Sequence, residues 1–281
     1  MNDNSQDVDL ERRFGGIARL YGAAAFARFR SAHVCVIGVG GVGSWIVEAL
    51  ARSGIGRITM IDLDHVAESN INRQIHAMSN TVGIAKVDAM AQRIAQINPS
   101  CVVAGIDEFI TADNIPELIG GREFDYIVDA IDDARAKIAL IAWCRAKRVP
   151  LVTIGSAGGQ TDPTRIAVCD LSRTEQEPLL AKVRKRLRQQ HGFPRGVKNK
   201  FGIDAIYSTE PLTLPKEAGC DLPDTSGDGT LTDPRPDGVT GLNCAGFGSS
   251  VVVTASFGLI AAAHVLRKLA AASTQKVLVS E

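Results

Sequence analysis

An apolar run, Val34 to Ile37, breaks into Gly38, Gly40, Gly41 and Gly43, and this break limits the chain to few folds. A strand followed by Gly-x-Gly-x-x-Gly and a helical pattern starts a βαβ unit whose helix N-terminus can meet a phosphate. The first glycine permits a tight turn, the second lets backbone approach the anion, and the third lets helix and strand pack closely. A helical pattern from Val42 to Arg52 and a second strand from Arg57 to Ile61 follow. Asp62 then stands 19 residues beyond Gly43, where a ribose-binding carboxylate belongs. The spacing predicts a nucleotide site, against the alternative of a glycine-rich turn that binds nothing.

Apolar runs and helical patterns continue to alternate. Strands are expected at 33–37, 57–61, 101–106, 125–129 and 150–154, with helices at 42–53, 84–97, 113–119 and 134–147. The fold class that follows is α/β: a Rossmann-like, doubly wound, mainly parallel sheet with ligands at the carboxyl ends of its strands. Beyond Gly155 the pattern predicts antiparallel additions at 164–170 and 203–207, separated by a polar helix over 175–190 and a basic loop. Residues 219–241 hold five Gly, three Pro and five Asp, which predicts a mobile surface loop.

With 281 residues, 45% of them hydrophobic, the chain can bury a full core, and its zero formal net charge means that any polyanionic partner must be met by a local patch. Six cysteines form no Cys-x-x-Cys pair, and Cys35 lies inside the first strand; a reduced, cytoplasmic protein without zinc is expected. The polar, acidic stretch from Met1 to Glu11 has no signal-peptide pattern. Residues 242–265 contain no Asp, Glu, Lys or Arg and are long enough to span a bilayer. Gly246, Gly248, Ser249, Ser250, Thr254 and Ser256 dilute that stretch, so a buried helix ending near Arg267 and Lys268 is expected, with peripheral membrane association as the alternative.

Chemistry-bearing residues gather after the strands. Asp62 and Asp64 follow the second strand, then come Ser69, Asn70, Arg73 and Gln74, with Lys86 opening the next helix and Asp129, Asp132 and Asp133 closing the fourth strand. A nicotinamide dehydrogenase would use Asp62 but not Asn70, Arg73 and Lys86 together. A triphosphate uses them all: cations neutralise charge at the α-phosphorus, and a carboxylate such as Asp132 can hold Mg2+. Arg73 or Lys86 alone reads as a solvated surface charge; their joint placement around the glycine turn reverses that reading.

Gly38-x-Gly40-Gly41-x-Gly43, Asp62-x-Asp64 and Ser69-Asn70-x-x-Arg73-Gln74, with Lys86 and Asp132, resemble the adenylation domain of the ubiquitin-activating superfamily. The resemblance implies an ATP-binding adenylation core over 12–160 and a C-terminal extension of the same domain over 161–272. It also implies ATP and Mg2+ as cofactors and formation of an acyl-adenylate. By carry-over, Asp62 holds the ribose, Arg73 and Lys86 the phosphates, Asn70 the α-phosphate region and Asp132 the metal. Arg13 to Gly22, Asn72 to Ala77, Gln96 to Pro99, Gly158-Gly159-Gln160-x-Asp162-Pro163 and Tyr207 to Glu210 are similar to the tRNA threonylcarbamoyladenosine dehydratase branch. That branch activates the threonyl carboxylate of a modified adenosine beside the anticodon, and the acyl-adenylate is attacked within the substrate to give a cyclic form. Many superfamily members carry an arginine that reaches the partner subunit's ATP; here Gly16 occupies its place, and Arg13 and Arg19 are the substitutes at hand.

Lys182, Arg184, Lys185, Arg186, Arg188, Arg195, Lys198 and Lys200 lie within 19 residues that contain no acid. Such a run is commonly only a solvated face; beside an adenylation site it is read as a tRNA-binding tract. The partners expected are tRNA bearing threonylcarbamoyladenosine, a second copy in a homodimer, and a cysteine desulfurase or sulfur-acceptor protein. Two rival readings are an adenylyltransferase for a sulfur-carrier protein, and a non-catalytic nucleotide-binding scaffold. Cys244 as a covalent acyl acceptor is the less favoured route, because cyclisation within the substrate needs no enzyme thioester.

Overall fold

The computed structural model describes residues 9–196, 198–213 and 247–278. Seven strands form one sheet in the order β3-β2-β1-β4-β5-β7-β6: β1 (His33–Ile37), β2 (Arg57–Ile61), β3 (Val102–Ile106), β4 (Tyr126–Asp129), β5 (Leu151–Ile154), β6 (Ile166–Asp170) and β7 (Asp204–Ser208). The helices are α1 (Leu10–Tyr21), α2 (Ala23–Ser31), α3 (Gly43–Arg52), α4 (Lys86–Ile97), α5 (Ile115–Leu118), α6 (Ala134–Lys147), α7 (Pro178–Gln190) and α8 (Val251–Leu278). Strand alternation sends Val34 and Val36 into one core layer and Cys35 and Ile37 into the other. The first layer packs the sheet against α2, α3, α4 and α8, the second against α6 and α7. Both faces of the sheet are covered, which is why β1 reads as a continuous apolar run rather than an alternating one.

Three expectations need correction. The strand expected at 203–207 is antiparallel only to β6; it pairs parallel to β5, with Val152 opposite Asp204, because α7 returns the chain across the sheet before β7 begins. The polar helix starts at Pro178, where the missing proline N–H costs nothing in the first turn and the Glu177 carboxylate caps Leu180 N. The last helix runs past Lys268 to Leu278: the Lys268 ammonium pairs with Asp204 at 2.8 Å instead of ending it.

Helix α8 is long and apolar enough to cross a membrane, but Phe257, Ala261 and Val265 are buried in the first core layer. That packing supports the core-helix reading over membrane association. The loop expected at 219–241, Cys220 and Cys244 lie outside the described residues.

Candidate functional site

Strands β1 and β4 are neighbours, but the helices that follow them, α3 and α6, lie on opposite faces of the sheet. A crevice opens at the carboxyl ends of such a pair. Gly38 turns the chain there at φ +85°, and a Cβ on it would stand 2.7 Å from the Ala130 carbonyl oxygen. A Cβ on Gly43 would stand 1.8 Å from the Gly38 oxygen, so both positions need glycine for close approach. Asp62 reaches the same turn: its carboxylate accepts Val39 N at 2.6 Å and Asp64 N at 2.9 Å. Burial pushes the Asp62 carboxyl up, against the pull of Lys86 and these two N–H groups.

Asn70 organises the cationic turn opposite. Its Oδ1 accepts Ala67 N at 3.1 Å, and its carbonyl accepts both Arg73 N and Gln74 N at 3.0 Å. Arg73 then lies along the glycine loop, its Cγ and Cδ each 3.4 Å from where a Cβ on Gly41 would be. The guanidinium donates to Ser69 O at 2.7 Å and Asn72 Oδ1 at 3.0 Å, while its Nε is buried without a partner. Gln74 is buried, and its Oε1 has none either. The unpartnered Arg73 Nε, on the side chain beside Gly41, is a donor that a bound phosphate would satisfy. Lys86, also buried, holds Asp64 Oδ2 at 2.6 Å, so a phosphate must compete with that carboxylate for the ammonium.

Asp132 sits on the turn after β4 with its side chain reaching solvent, yet loss of hydration raises its carboxyl, aided by Asp133 and Asp64 and opposed by its own backbone N–H and by Lys137. The turn is anchored from below. Asp129 and Lys137 are both fully buried and paired at 2.8 Å; Asp129 also accepts Thr153 Oγ1 at 2.7 Å and Ile131 N at 3.2 Å. Sequence reading placed Asp129 in the cluster and did not see Lys137, whose helical position gives no outward sign of a buried charge. Among the described residues no group of three or more His, Cys, Asp or Glu is arranged to hold a metal. A Mg2+ ion here would rest on Asp132 and on phosphate oxygens, a donor set that suits this ion.

The expected tRNA tract divides. Lys182, Lys185 and Arg186 share the outward face of α7, and Arg195, Lys198 and Lys200 are exposed after it. Arg184 is half-buried and bonded to Thr174 Oγ1, and Arg188 donates to Pro194 O at 3.4 Å with its guanidinium 5.1 Å from the Phe201 ring centre. Three cations missed in the sequence join the tract where α6 ends: Arg145, stacked 4.1 Å over Phe193, with Lys147 and Arg148. Helix α7 starts near the carboxyl end of β5, where Glu177 Oε1 accepts Ser156 N at 3.0 Å, and runs toward the amino ends. The exposed loop cations therefore lie at the opposite end of the strands from the crevice. Of the two substitute arginines, Arg13 caps α4, donating to Gln96 O at 3.1 Å and Ile97 O at 2.9 Å, whereas Arg19 is exposed on α1.

The pattern of the ThiF family matches residues 15–279. The chain is 48% identical over 268 residues to the curated tRNA threonylcarbamoyladenosine dehydratase of Escherichia coli K12, covering 94% of this chain and 96% of that protein. The Haemophilus influenzae enzyme of the same name is 49% identical over 93% of this chain and 94% of its own length. Molybdopterin-synthase adenylyltransferase of Salmonella typhimurium is 32% identical over only 44% of this chain and 49% of its own length. Among solved structures, E. coli tRNA N6-threonylcarbamoyladenosine dehydratase in complex with ATP superposes with a TM-score of 0.81 at 46% identity, covering 94% of this chain and 96% of that one. Its complex with AMP gives 0.80.

Proposed function

The chain belongs to the ThiF family, and from that premise we infer that it is an ATP-dependent enzyme that dehydrates threonylcarbamoyladenosine in tRNA to its cyclic form. The observation that carries this reading is the extent of similarity. Likeness to the dehydratases runs through 94% of the chain, including β6, α7 and β7, whereas likeness to the molybdopterin-synthase enzyme spans 44%. A sulfur-carrier adenylyltransferase would need to share only the nucleotide core.

The site residues suit the chemistry. Asp62 accepts the ribose hydroxyls, the Gly40–Gly41 backbone admits the phosphates, and Arg73 and Lys86 neutralise them, with Asn70 shaping the turn that presents Arg73. A threonyl carboxylate oxygen bonds to the α-phosphorus as its bond to the pyrophosphate oxygen breaks. The substrate's own nucleophile then attacks the acyl carbon and AMP leaves, carrying away the oxygen counted as lost water. When bound at Asp132, Mg2+ lowers the charge that pyrophosphate must take with it. The exposed cations of α7, its exit loop and the end of α6 support contact with the tRNA backbone. A cytoplasmic homodimer, served by a cysteine desulfurase or sulfur-acceptor protein and without zinc, completes the proposal; exposed Ile71, Val252 and Leu259 supply apolar surface for a second copy.

The deciding experiment supplies the protein with ATP, Mg2+ and tRNA bearing threonylcarbamoyladenosine. Expected are AMP, pyrophosphate and a nucleoside lighter by one water in mass spectrometry. Failure to change that nucleoside, together with adenylation of a carrier protein's C-terminus, would transfer the chain to the sulfur-carrier enzymes.

A further inference from the structure

The loop after β5 is built as firmly as the glycine turn. Ser156 N is held by Glu177, Gly158 N donates to Ser156 Oγ at 3.3 Å, and Gly159 N donates to Gly248 O at 2.8 Å. Glu210 closes the far side, its carboxylate accepting Thr161 N at 3.1 Å, Thr161 Oγ1 at 3.0 Å and Asp162 N at 2.9 Å. Within this frame Gln160 is only 4% exposed. Its Nε2 donates to Ser156 O at 3.2 Å, which fixes the carboxamide and leaves Oε1 buried with no donor. A buried acceptor left empty is destabilising, and a native protein that keeps one commonly has a use for it.

The position says which use. β5 lies beside β4, about 4.8 Å away, so this loop stands one strand over from the Asp132 turn. It is also tied to the cationic turn: Gly248 precedes Ser249, whose carbonyl accepts Asn72 Nδ2 at 2.8 Å, and Asn72 bonds the Arg73 guanidinium. A threonyl carboxylate placed at the β1–β4 crevice has its urea group one carbon further on, and the loop after β5 is the next along the sheet from the Asp132 turn. That group presents N–H donors, and an amide oxygen accepts them without adding negative charge beside the reacting carboxylate.

We propose that Gln160 recognises the substrate's urea, its Oε1 accepting the N6–H of threonylcarbamoyladenosine. The proposal rests on the dehydratase reading above. It is tested with an anticodon stem-loop RNA carrying threonylcarbamoyladenosine, and with the same RNA methylated at N6, which lacks the donor. With the wild-type chain, methylation should lower kcat/KM for pyrophosphate release, the step that precedes ring closure and leaves N6 untouched, about tenfold, the effect of losing one such hydrogen bond. Gln160→Ala should lower kcat/KM for the unmethylated RNA by a similar factor, leave ATP affinity unchanged, and remove the methylation penalty. Gln160→Met, of equal length, should behave alike and serves if the alanine variant folds poorly. Variants that keep full kcat/KM, as expected if only a bound water satisfies Oε1, or that retain the methylation penalty, would overturn the assignment. A wild-type chain that forms no cyclic product with either RNA would instead remove the dehydratase reading, and this proposal with it.

Discussion

Lys86 and Arg73 are held at the proposed nucleotide site by different contacts. Lys86 has a buried stem and an ammonium held by Asp64, in a region short of water where electrostatic stabilisation is large. Lys86→Ala and Asp62→Ala should each lower turnover about a hundredfold or more, read as pyrophosphate release, while the fold survives because neither side chain fills a core layer. Nearby His76 is 1% exposed with both ring nitrogens unpartnered, and burial, together with Lys86 and Arg93, lowers its pKa from 6.5 to about 4. The sign follows from proton counting. Between about 6.5 and 4 the unfolded chain binds a proton at this site that the folded chain refuses, so stability is full above that window and falls as pH drops through it. Melting temperatures measured from pH 7 to pH 4 should therefore fall less steeply in His76→Leu than in the wild-type chain; parallel curves would show that His76 is not the group responsible.

Elements carry the site through their ends, and the buried Asp129–Lys137 pair fixes one of those ends. Lys137→Met leaves a carboxylate uncompensated under the Asp132 turn and should cost about 3–5 kcal/mol in denaturant unfolding, most of it recovered in the Asp129→Asn, Lys137→Met double variant. On α7 the cations separate by role. Replacing Lys182, Lys185 and Arg186 should lower the salt slope of tRNA binding, with ATP affinity unchanged. The decrease should be about 0.9 for each duplex phosphate that the variant no longer neutralises and about 0.7 for each phosphate of a single strand. Replacing Arg184 or Arg188, which brace Thr174, Pro194 and Phe201, should instead lower stability. The elements that the sequence made legible are those whose pattern is local. β1 and β2 have the expected bounds because apolar runs end at glycine or aspartate, and α6 does so because Asp133 caps it. α1 and α2 escaped notice: Gly15, Gly16 and Gly22 resemble breakers, and the Asp9 cap and buried Phe14 show themselves only in the fold. The direction of β7 was illegible for a different reason, since strand pairing across a helical crossover leaves no periodic trace.

At the scale of the whole molecule, crevice and basic tract occupy opposite ends of the sheet, joined by α7, whose 13 residues span about 20 Å. A substrate that meets both must be at least that long, which a nucleic acid stem satisfies and a free nucleoside does not. The glycine turn, Asp62, Arg73 and Asp132 were grouped as a candidate site from the sequence because each follows a strand at fixed spacing. Lys137, Gln160 and the α6 cations were not, because their roles depend on what lies across the fold. The same division bears on the chemical step. If the substrate's own nucleophile resolves the acyl-adenylate, no enzyme cysteine is required, and Cys244→Ser should still yield the cyclic nucleoside in a single turnover. Asp132→Ala, lacking the carboxylate proposed for Mg2+, should not, and chelation of Mg2+ should reproduce its defect in the wild-type chain. Both variants must first match the wild-type melting temperature, since a small residue such as Cys244 can matter for packing alone. A folded Cys244→Ser chain that releases pyrophosphate yet forms no cyclic nucleoside would place a thioester on the enzyme and rule out direct cyclisation.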